Sequence, residues 1–214
     1  MGSKGEQSFM RLFPMFTKLE GRNCLVVGAG VVGEGKIGSL VEAGAAVTVV
    51  APEATSVVAD WARAGIVHWQ ARRFEPADLE GTFLAVVATD STETNRIVFE
   101  EARQRGVLCN VVDDPEYCDF YYPAVVRRGN LQIAVSTGGL SPALAQRIRR
   151  ELEQLFPVEY AAWIEEVGKE RRELLRADLN QERRRTLLHQ RVTQQAFANF
   201  VRGRKTKYIR RGGP

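Results

Sequence analysis

Residues 23–50 read N-C-L-V-V-G-A-G-V-V-G-E-G-K-I-G-S-L-V-E-A-G-A-A-V-T-V-V. A short apolar run, Cys24-Leu25-Val26-Val27, ends in Gly28-Ala29-Gly30-Val31-Val32-Gly33. The pattern predicts a strand, a glycine turn, a helix reaching Ala43, and a second strand starting near Ala46. Each glycine has a separate task. Gly28 permits the sharp exit from the strand, Gly30 lets a pyrophosphate approach bare backbone, and Gly33 lets the helix lie close to the strand. The start of the helix then offers free N–H groups to phosphate oxygens. Glycines spaced G-x-G-x-x-G occur in many turns, so it is the strand before and the helix after that point to a dinucleotide. Nucleotide contacts are expected at Gly28, Gly30, Val31, Val32 and Gly33, at Pro52 and Glu53 after the second strand, and at Thr89 after the fourth.

The second strand of such a unit commonly ends on an acidic residue that holds the ribose hydroxyls. Here the strand ends Val50-Ala51-Pro52-Glu53, so Glu53 falls slightly late, after a proline. No arginine stands nearby to receive a 2′-phosphate. The residues lean toward NAD rather than NADP.

A chain of 214 residues, 44% apolar, can bury a sizeable core in one domain or two. No apolar run is long enough for a membrane-spanning helix, and residues 1–10 lack an apolar signal segment. Cys24, Cys109 and Cys118 show no C-x-x-C spacing, and the first two fall in expected strands. They read as small buried hydrophobes in a reducing, cytoplasmic setting. The net charge of +4 is unevenly spread: residues 158–214 hold 14 Lys and Arg against 7 Asp and Glu. That balance fits a solvated helical surface, an anionic ligand or a nucleic acid.

Outward from the glycine turn, residues 9–20 form an apolar segment expected to pack across the domain edge. Asp60-Trp61-Ala62-Arg63 belongs to a second helix and Ile66–Trp69 to a third strand, with His68 as an edge-strand surface residue rather than a ligand. Phe83–Ala88 is continuously apolar, as in a strand buried on both faces of a parallel sheet. Asp90 or Ser91 caps the next helix, and Val107–Val112 is the fifth strand. Strands alternating with helices imply a doubly wound sheet, whose ligands lie beyond the carboxyl ends of the strands; Gly28, Thr89 and Asp113 fall there. After Asp113 the pattern changes. Two short apolar runs flank Arg127-Arg128-Gly129-Asn130, a hairpin signal. Thr137-Gly138-Gly139 leads to Ser141-Pro142, a helix start and a candidate anion site of backbone N–H groups. Leu144, Ile148, Leu152 and Leu155 form an apolar stripe ended by Pro157; Tyr160 to Val167 mark one further helix and Leu187 to Phe200 another. The expected fold class is α/β: a Rossmann-type parallel sheet, then a small β segment, then a helical C-terminal domain. The expected boundaries are 1–113, 114–141 and 142–214.

Several stretches together resemble the precorrin-2 dehydrogenase family, including the N-terminal module of multifunctional siroheme synthases. They are P-M-F at 14–16, the glycine turn with Lys36, G-A-A-V-T-V-V-A-P at 44–52, A-T-D at 88–90, C-N-V-V-D at 109–113 and A-V-S-T-G-G-L-S-P at 134–142. The resemblance covers about residues 10–157 and thins in the C-terminal helices. Two departures stand out: Ala29 replaces the middle glycine of three, and Gly35 replaces an arginine before Lys36.

The resemblance implies NAD-dependent oxidation of precorrin-2 to sirohydrochlorin, on the route to sirohaem. It also implies an anionic tetrapyrrole substrate and, together with the apolar stripes of the C-terminal helices, a homodimer. No nucleic-acid partner is expected, since the basic tail shows no helix-turn-helix or zinc pattern, and no membrane partner. Substrate carboxylates are expected at Thr137, Gly138 and Gly139 and at Arg127 and Arg147, with Arg128, Arg149 and Arg150 as further candidate partners. Asp113 matches the family's catalytic aspartate and is assigned as general base or as the group orienting the proton-losing centre, although Asp113-Asp114-Pro115 is by residue type equally a turn initiator. Thr137 reads equally as a substrate-site hydroxyl or as ordinary loop chemistry. Some relatives also insert iron. No metal ligand is expected here: His68 stands in the nucleotide domain, and His189 lies amid Arg183, Arg184, Arg185 and Arg191, which disfavour a bound cation. The expectation is a dehydrogenase with weak or no chelatase activity. The alternatives are a bifunctional dehydrogenase/ferrochelatase, a small-substrate oxidoreductase, and a non-enzymatic NAD-binding regulator with a nucleic-acid-binding tail.

Overall fold

The computed structural model describes residues 12–210, with side chains to Arg204. The chain divides into two compact units that meet in sequence at Tyr122 and Pro123.

The first unit holds five parallel strands: β1 (Asn23–Ala29), β2 (Ala46–Ala54), β3 (His68–Gln70), β4 (Leu84–Val87) and β5 (Leu108–Val111). Their order in the sheet is β3-β2-β1-β4-β5. β1 is therefore central, and the chain reverses its direction of travel across the sheet between β1 and β4, where such folds open a crevice. The helices are α1 (Val31–Glu42), α2 (Ser56–Arg63) and α3 (Thr92–Gln104). Alternation along β1 sends Cys24 and Val26 to one face and Leu25 and Val27 to the other. The first face packs against Ile37 and Leu40 of α1 and Val58 of α2; the second packs against Val98, Phe99 and Ala102 of α3. All four residues of β4 are buried, as expected of a strand covered on both sides.

Two outcomes in this unit differ from the sequence reading. Phe13, Met15 and Phe16 are exposed, so the 9–20 segment does not pack as expected; Leu19 does reach the core, and residues 9–11 lie outside those described. β2 runs on through Pro52 and Glu53 to Ala54, where it pairs with Ala29 after a register shift. The sheet tolerates Pro52 because the shift at Gly28 releases one rung of the ladder.

The second unit opens with an antiparallel hairpin, β6 (Ala124–Arg128) and β7 (Leu131–Val135), turned at Gly129-Asn130. Gly129 has φ +57, and a Cβ there would stand 3.2 Å from that of Ala161. Four helices follow: α4 (Pro142–Leu155), α5 (Tyr160–Arg176), α6 (Gln181–Arg191) and α7 (Gln194–Arg210). The stretch from Leu187 to Phe200 thus forms two helices, not one. Thr193 accepts a bond from Ala196 N at 3.1 Å and starts α7, an N-cap that interrupts the apolar periodicity. Tyr160 and Trp163 of α5 hold Phe197 of α7, with centroids 4.3 and 5.1 Å away.

Ile37 is fully buried where α1 crosses the sheet. Ile37→Ala is expected to cost about 2–5 kcal/mol. Urea titration checks this: the midpoint falls while the slope is unchanged.

Candidate active site

The turn leaving β1 is built from three backbones in contact. Gly28 has φ +99, and a Cβ there would lie 2.2 Å from the carbonyl oxygen of Ala88, at the end of β4. A Cβ on Gly33 would lie 2.3 Å from the carbonyl oxygen of Gly28. No side chain fits at either place. Gly30 is different: its φ is −72, and nothing stands within 4 Å of where a Cβ would be. It is the N-cap of α1 and has no side chain to cap the first turn. The N–H groups of Val31, Val32 and Gly33 therefore face the open space above Gly30 without an intrahelical acceptor. That bare cradle fits a pyrophosphate. Val31 and Val32 are exposed beside it.

The flanking strand ends are held firmly. Thr55 N donates to Ala29 O at 3.0 Å, and Thr55 Oγ1 donates to Glu34 Oε2 at 2.7 Å. Pro52 and Glu53 are exposed near the end of β2. After β4, Thr89 Oγ1 donates to Asn95 Oδ1 at 2.6 Å and accepts from Ser91 N at 3.2 Å, while Asn95 Nδ2 donates to Thr89 O. Ser91, one of the two expected caps, accepts from Thr94 N. Thr89 is thus fixed beside Gly28. The sequence reading overlooked Asn95; an Asn in the first turns of a helix, where it has low propensity, is a weak sign of such a side-chain task.

Val27, Val87 and Val111 stand in register across β1, β4 and β5. Asp113 follows two residues later, so it shares this sheet edge with the glycine turn, about two strand spacings or ~10 Å across. Asp113 is the one described non-glycine residue with positive φ, at 63°. Such a conformation costs on the order of 1–3 kcal/mol, at the low end for Asp. Its side chain is exposed. A cation stands close by: Lys36 of α1 holds its Nζ 3.8 Å from the ring centroid of Tyr122. Burial lowers the Lys36 pKa, and the negative charge of Asp113 opposes that shift. Neither Lys36 nor Tyr122 was singled out by role from the sequence, because their meeting depends on the chain returning over α1 after β5.

The second unit gathers Thr137, Gly138 and Gly139 between β7 and α4. Gly138 and Gly139 have φ +62 and +82. The loop consumes much of its own hydrogen-bonding capacity. Ser136 Oγ accepts from Gly138 N at 3.1 Å, Thr137 Oγ1 accepts from Ser141 N at 3.1 Å, and Leu140 N donates to Thr137 O at 3.1 Å. Thr137 is therefore a loop clasp whose hydroxyl proton is still available to donate. The arginines divide. Arg128 Nε and Nη2 donate to Phe156 O and Glu153 O, at 2.7 and 3.1 Å, and so cap the end of α4. Arg147 pairs with Glu151 at 3.0 Å and Arg149 with Glu153 at 2.6 Å. Arg127 is exposed and forms no ion pair among the described residues. His68 is exposed at the sheet edge, and no group of His, Cys, Asp or Glu suited to a metal ion occurs among the described residues.

Residues 15–124 match a family model described as putative NAD(P)-binding, and residues 128–155 match one described as sirohaem biosynthesis protein central. Among curated proteins, the siroheme synthase of Methylobacillus flagellatus is 45% identical over 151 residues, covering 71% of this chain and 32% of that protein. Siroheme synthase 1 of Aeromonas salmonicida is 43% identical over 148 residues, covering 69% and 32%. The chain spans about a third of the length of these relatives. Among solved structures, SirC, a precorrin-2 dehydrogenase, superposes with a TM-score of 0.79 at 27% identity, covering 94% of this chain and all of that one.

Gly30→Val is expected to leave the fold intact, since the space there is open, and to abolish nucleotide binding in a fluorescence titration. Gly28→Val is expected to lower the melting temperature sharply, because its Cβ meets a backbone carbonyl. Retained nucleotide affinity in the Gly30 variant would place the cofactor elsewhere.

Proposed function

Because this chain belongs to the putative NAD(P)-binding family, we propose that it catalyses the NAD-dependent oxidation of precorrin-2 to sirohydrochlorin. The observation that carries this reading is the single sheet edge shared by the bare helix start above Gly30 and the exposed Asp113. The likeness to SirC over nearly the whole chain supports a tetrapyrrole as the substrate class. The oxidation removes a hydride and a proton from a reduced tetrapyrrole. When bound, the nicotinamide supplies the hydride acceptor. Gly28, Gly30, Val31, Val32 and Gly33 hold the pyrophosphate, and Thr89 borders it. Glu53 and Pro52 flank the ribose, where a carboxylate accepts hydroxyl bonds and repels a 2′-phosphate, favouring NAD. Asp113 accepts the proton as general base. Arg127, Arg147 and the Thr137-Gly138-Gly139 loop offer donors to the substrate carboxylates.

The full chain with Asp113→Asn is expected to keep its NAD affinity and to lose roughly 10²–10⁴-fold in turnover, the contribution typical of a positioned general base. Absorbance of sirohydrochlorin under anaerobic conditions reads the rate. Turnover near that of the unaltered protein would remove Asp113 from the mechanism.

The working form is a cytoplasmic homodimer without nucleic-acid partners. In the second unit Leu140, Leu155 and Val158 are 69–79% exposed, and Leu144, Leu175 and Val192 are also open. Across α4, α5 and α6, Ala145 alone is buried. Apolar surface of this extent is what a second copy would cover. Light scattering is expected to give twice the 23.9 kDa chain mass, and a monomer at micromolar concentration would refute the dimer. No described helix is long and apolar enough to cross a membrane.

A further inference from the structure

Asn110 is the one buried polar residue among those described, 6% exposed in the middle of β5. Its strand neighbours, Cys109 and Val111, are buried and apolar. An amide in such a place is tolerated only if its hydrogen bonds are used. They are used on the chain that carries Asp113. Asn110 Nδ2 donates to Phe120 O at 2.7 Å and to Cys118 Sγ at 3.2 Å. The main chains of Asn110 and Cys118 also form an antiparallel bridge. Cys118 Sγ lies 3.1 Å from Val111 O and 3.2 Å from Asp114 O, so its one S–H proton is shared between the carbonyls on either side of the Asp113 turn. Asp114 N donates back to Val111 O at 3.3 Å. One residue further out, Asp119 N donates to Cys109 O at 2.8 Å and Asp119 Oδ2 accepts from Cys109 N at 2.9 Å. The chain leaves β5, turns at Asp113, and is fastened back to the same strand. Asp113 is the residue left in the left-handed region inside that closed loop.

We propose that Asn110 and Cys118 are positioning residues for the reaction: together they fasten the 111–118 loop to β5 and so present the Asp113 carboxylate at the sheet edge. This rests on the reading of Asp113 as the proton acceptor. Neither residue needs to touch substrate. Asn110 supplies two donors that a side chain of similar size, such as Leu, lacks. Cys118 acts as a neutral S–H group; burial holds its pKa up, so the proton stays on sulfur. Serine keeps an O–H donor and an acceptor there, whereas alanine keeps neither. Displacing a general base by a fraction of an ångström lowers the rate without altering how the nucleotide is held.

The test uses the full chain with Asn110→Leu, Cys118→Ala and Cys118→Ser, each alone and in the Asp113→Asn background. The expected result is a kcat loss on the order of tenfold for N110L and C118A, with KM for NAD within twofold of the unaltered protein. C118S recovers most of the loss seen in C118A. In the Asp113→Asn background none of the three changes lowers kcat further, because the group they position is gone. The Cα and amide chemical shifts of Asp113, which report its left-handed backbone, move in N110L and C118A and stay in place in C118S. Unchanged kcat and unchanged shifts in folded N110L and C118A would overturn the proposal. So would losses that persist undiminished in the Asp113→Asn background, which would mark general damage to the sheet. If N110L does not fold, the C118A and C118S pair decides alone. Asp113→Asn turning over at the full rate would instead remove Asp113 itself as base, a result distinct from an inactive Asp113→Asn beside a fully active C118A.

Discussion

Where the chain leaves β1, the backbones of Gly28, Ala88 and Gly33 meet with no room for a Cβ between them. Much of the first unit follows from that contact. It brings the end of β4 against the turn, so Thr89 is fixed beside it, and it draws α1 down onto the sheet. With α1 in that position its first three N–H groups are left pointing into open space above Gly30. A side chain at Gly28 or Gly33 would lift the helix and destroy both the packing and the anion site. Fold and cofactor cradle are here one constraint.

The opposite end of the same edge is held by polar rather than steric means. β5 is short and almost wholly buried, yet it contains an amide that spends its hydrogen bonds on the following loop. The loop bends sharply enough to put Asp113 at φ +63. A non-glycine residue in that region is tolerated because the chain on both sides is tied down, and Asp113 is exposed there. Lys36, resting on Tyr122, adds a positive charge nearby and forms no ion pair among the described residues.

The second unit is stabilised differently. Its hairpin buries Ala124 and Val126, and its helices meet through the rings of Phe156, Tyr160, Trp163 and Phe197. No residue of α5 or α6 is fully buried. Arg128 is taken up by the carbonyls at the end of α4, and Arg149 by Glu153, so the arginines of this region are not equally available to a ligand.

By itself the sequence determined the parallel α/β unit, the glycine turn, the Gly129-Asn130 hairpin and the helix starting at Pro142. These depend on signals within a few residues: alternating or continuous apolar runs, glycines where φ is positive, and caps such as Ser141. It also placed Gly28, Thr89 and Asp113 at strand ends, since strand order and length locate the carboxyl edge. The C-terminal helices were less legible, because the break at Val192-Thr193 interrupts an apolar pattern that continues across it. What only the tertiary structure decided is which polar groups meet: Thr89 with Asn95, Glu34 with Thr55, Lys36 with Tyr122, and Asn110 with Cys118 and Phe120. A hydrogen bond between residues on different elements leaves no periodicity in the chain. Its partners are chosen by where the buried faces of strands and helices bring them, and that is settled only when the core packs.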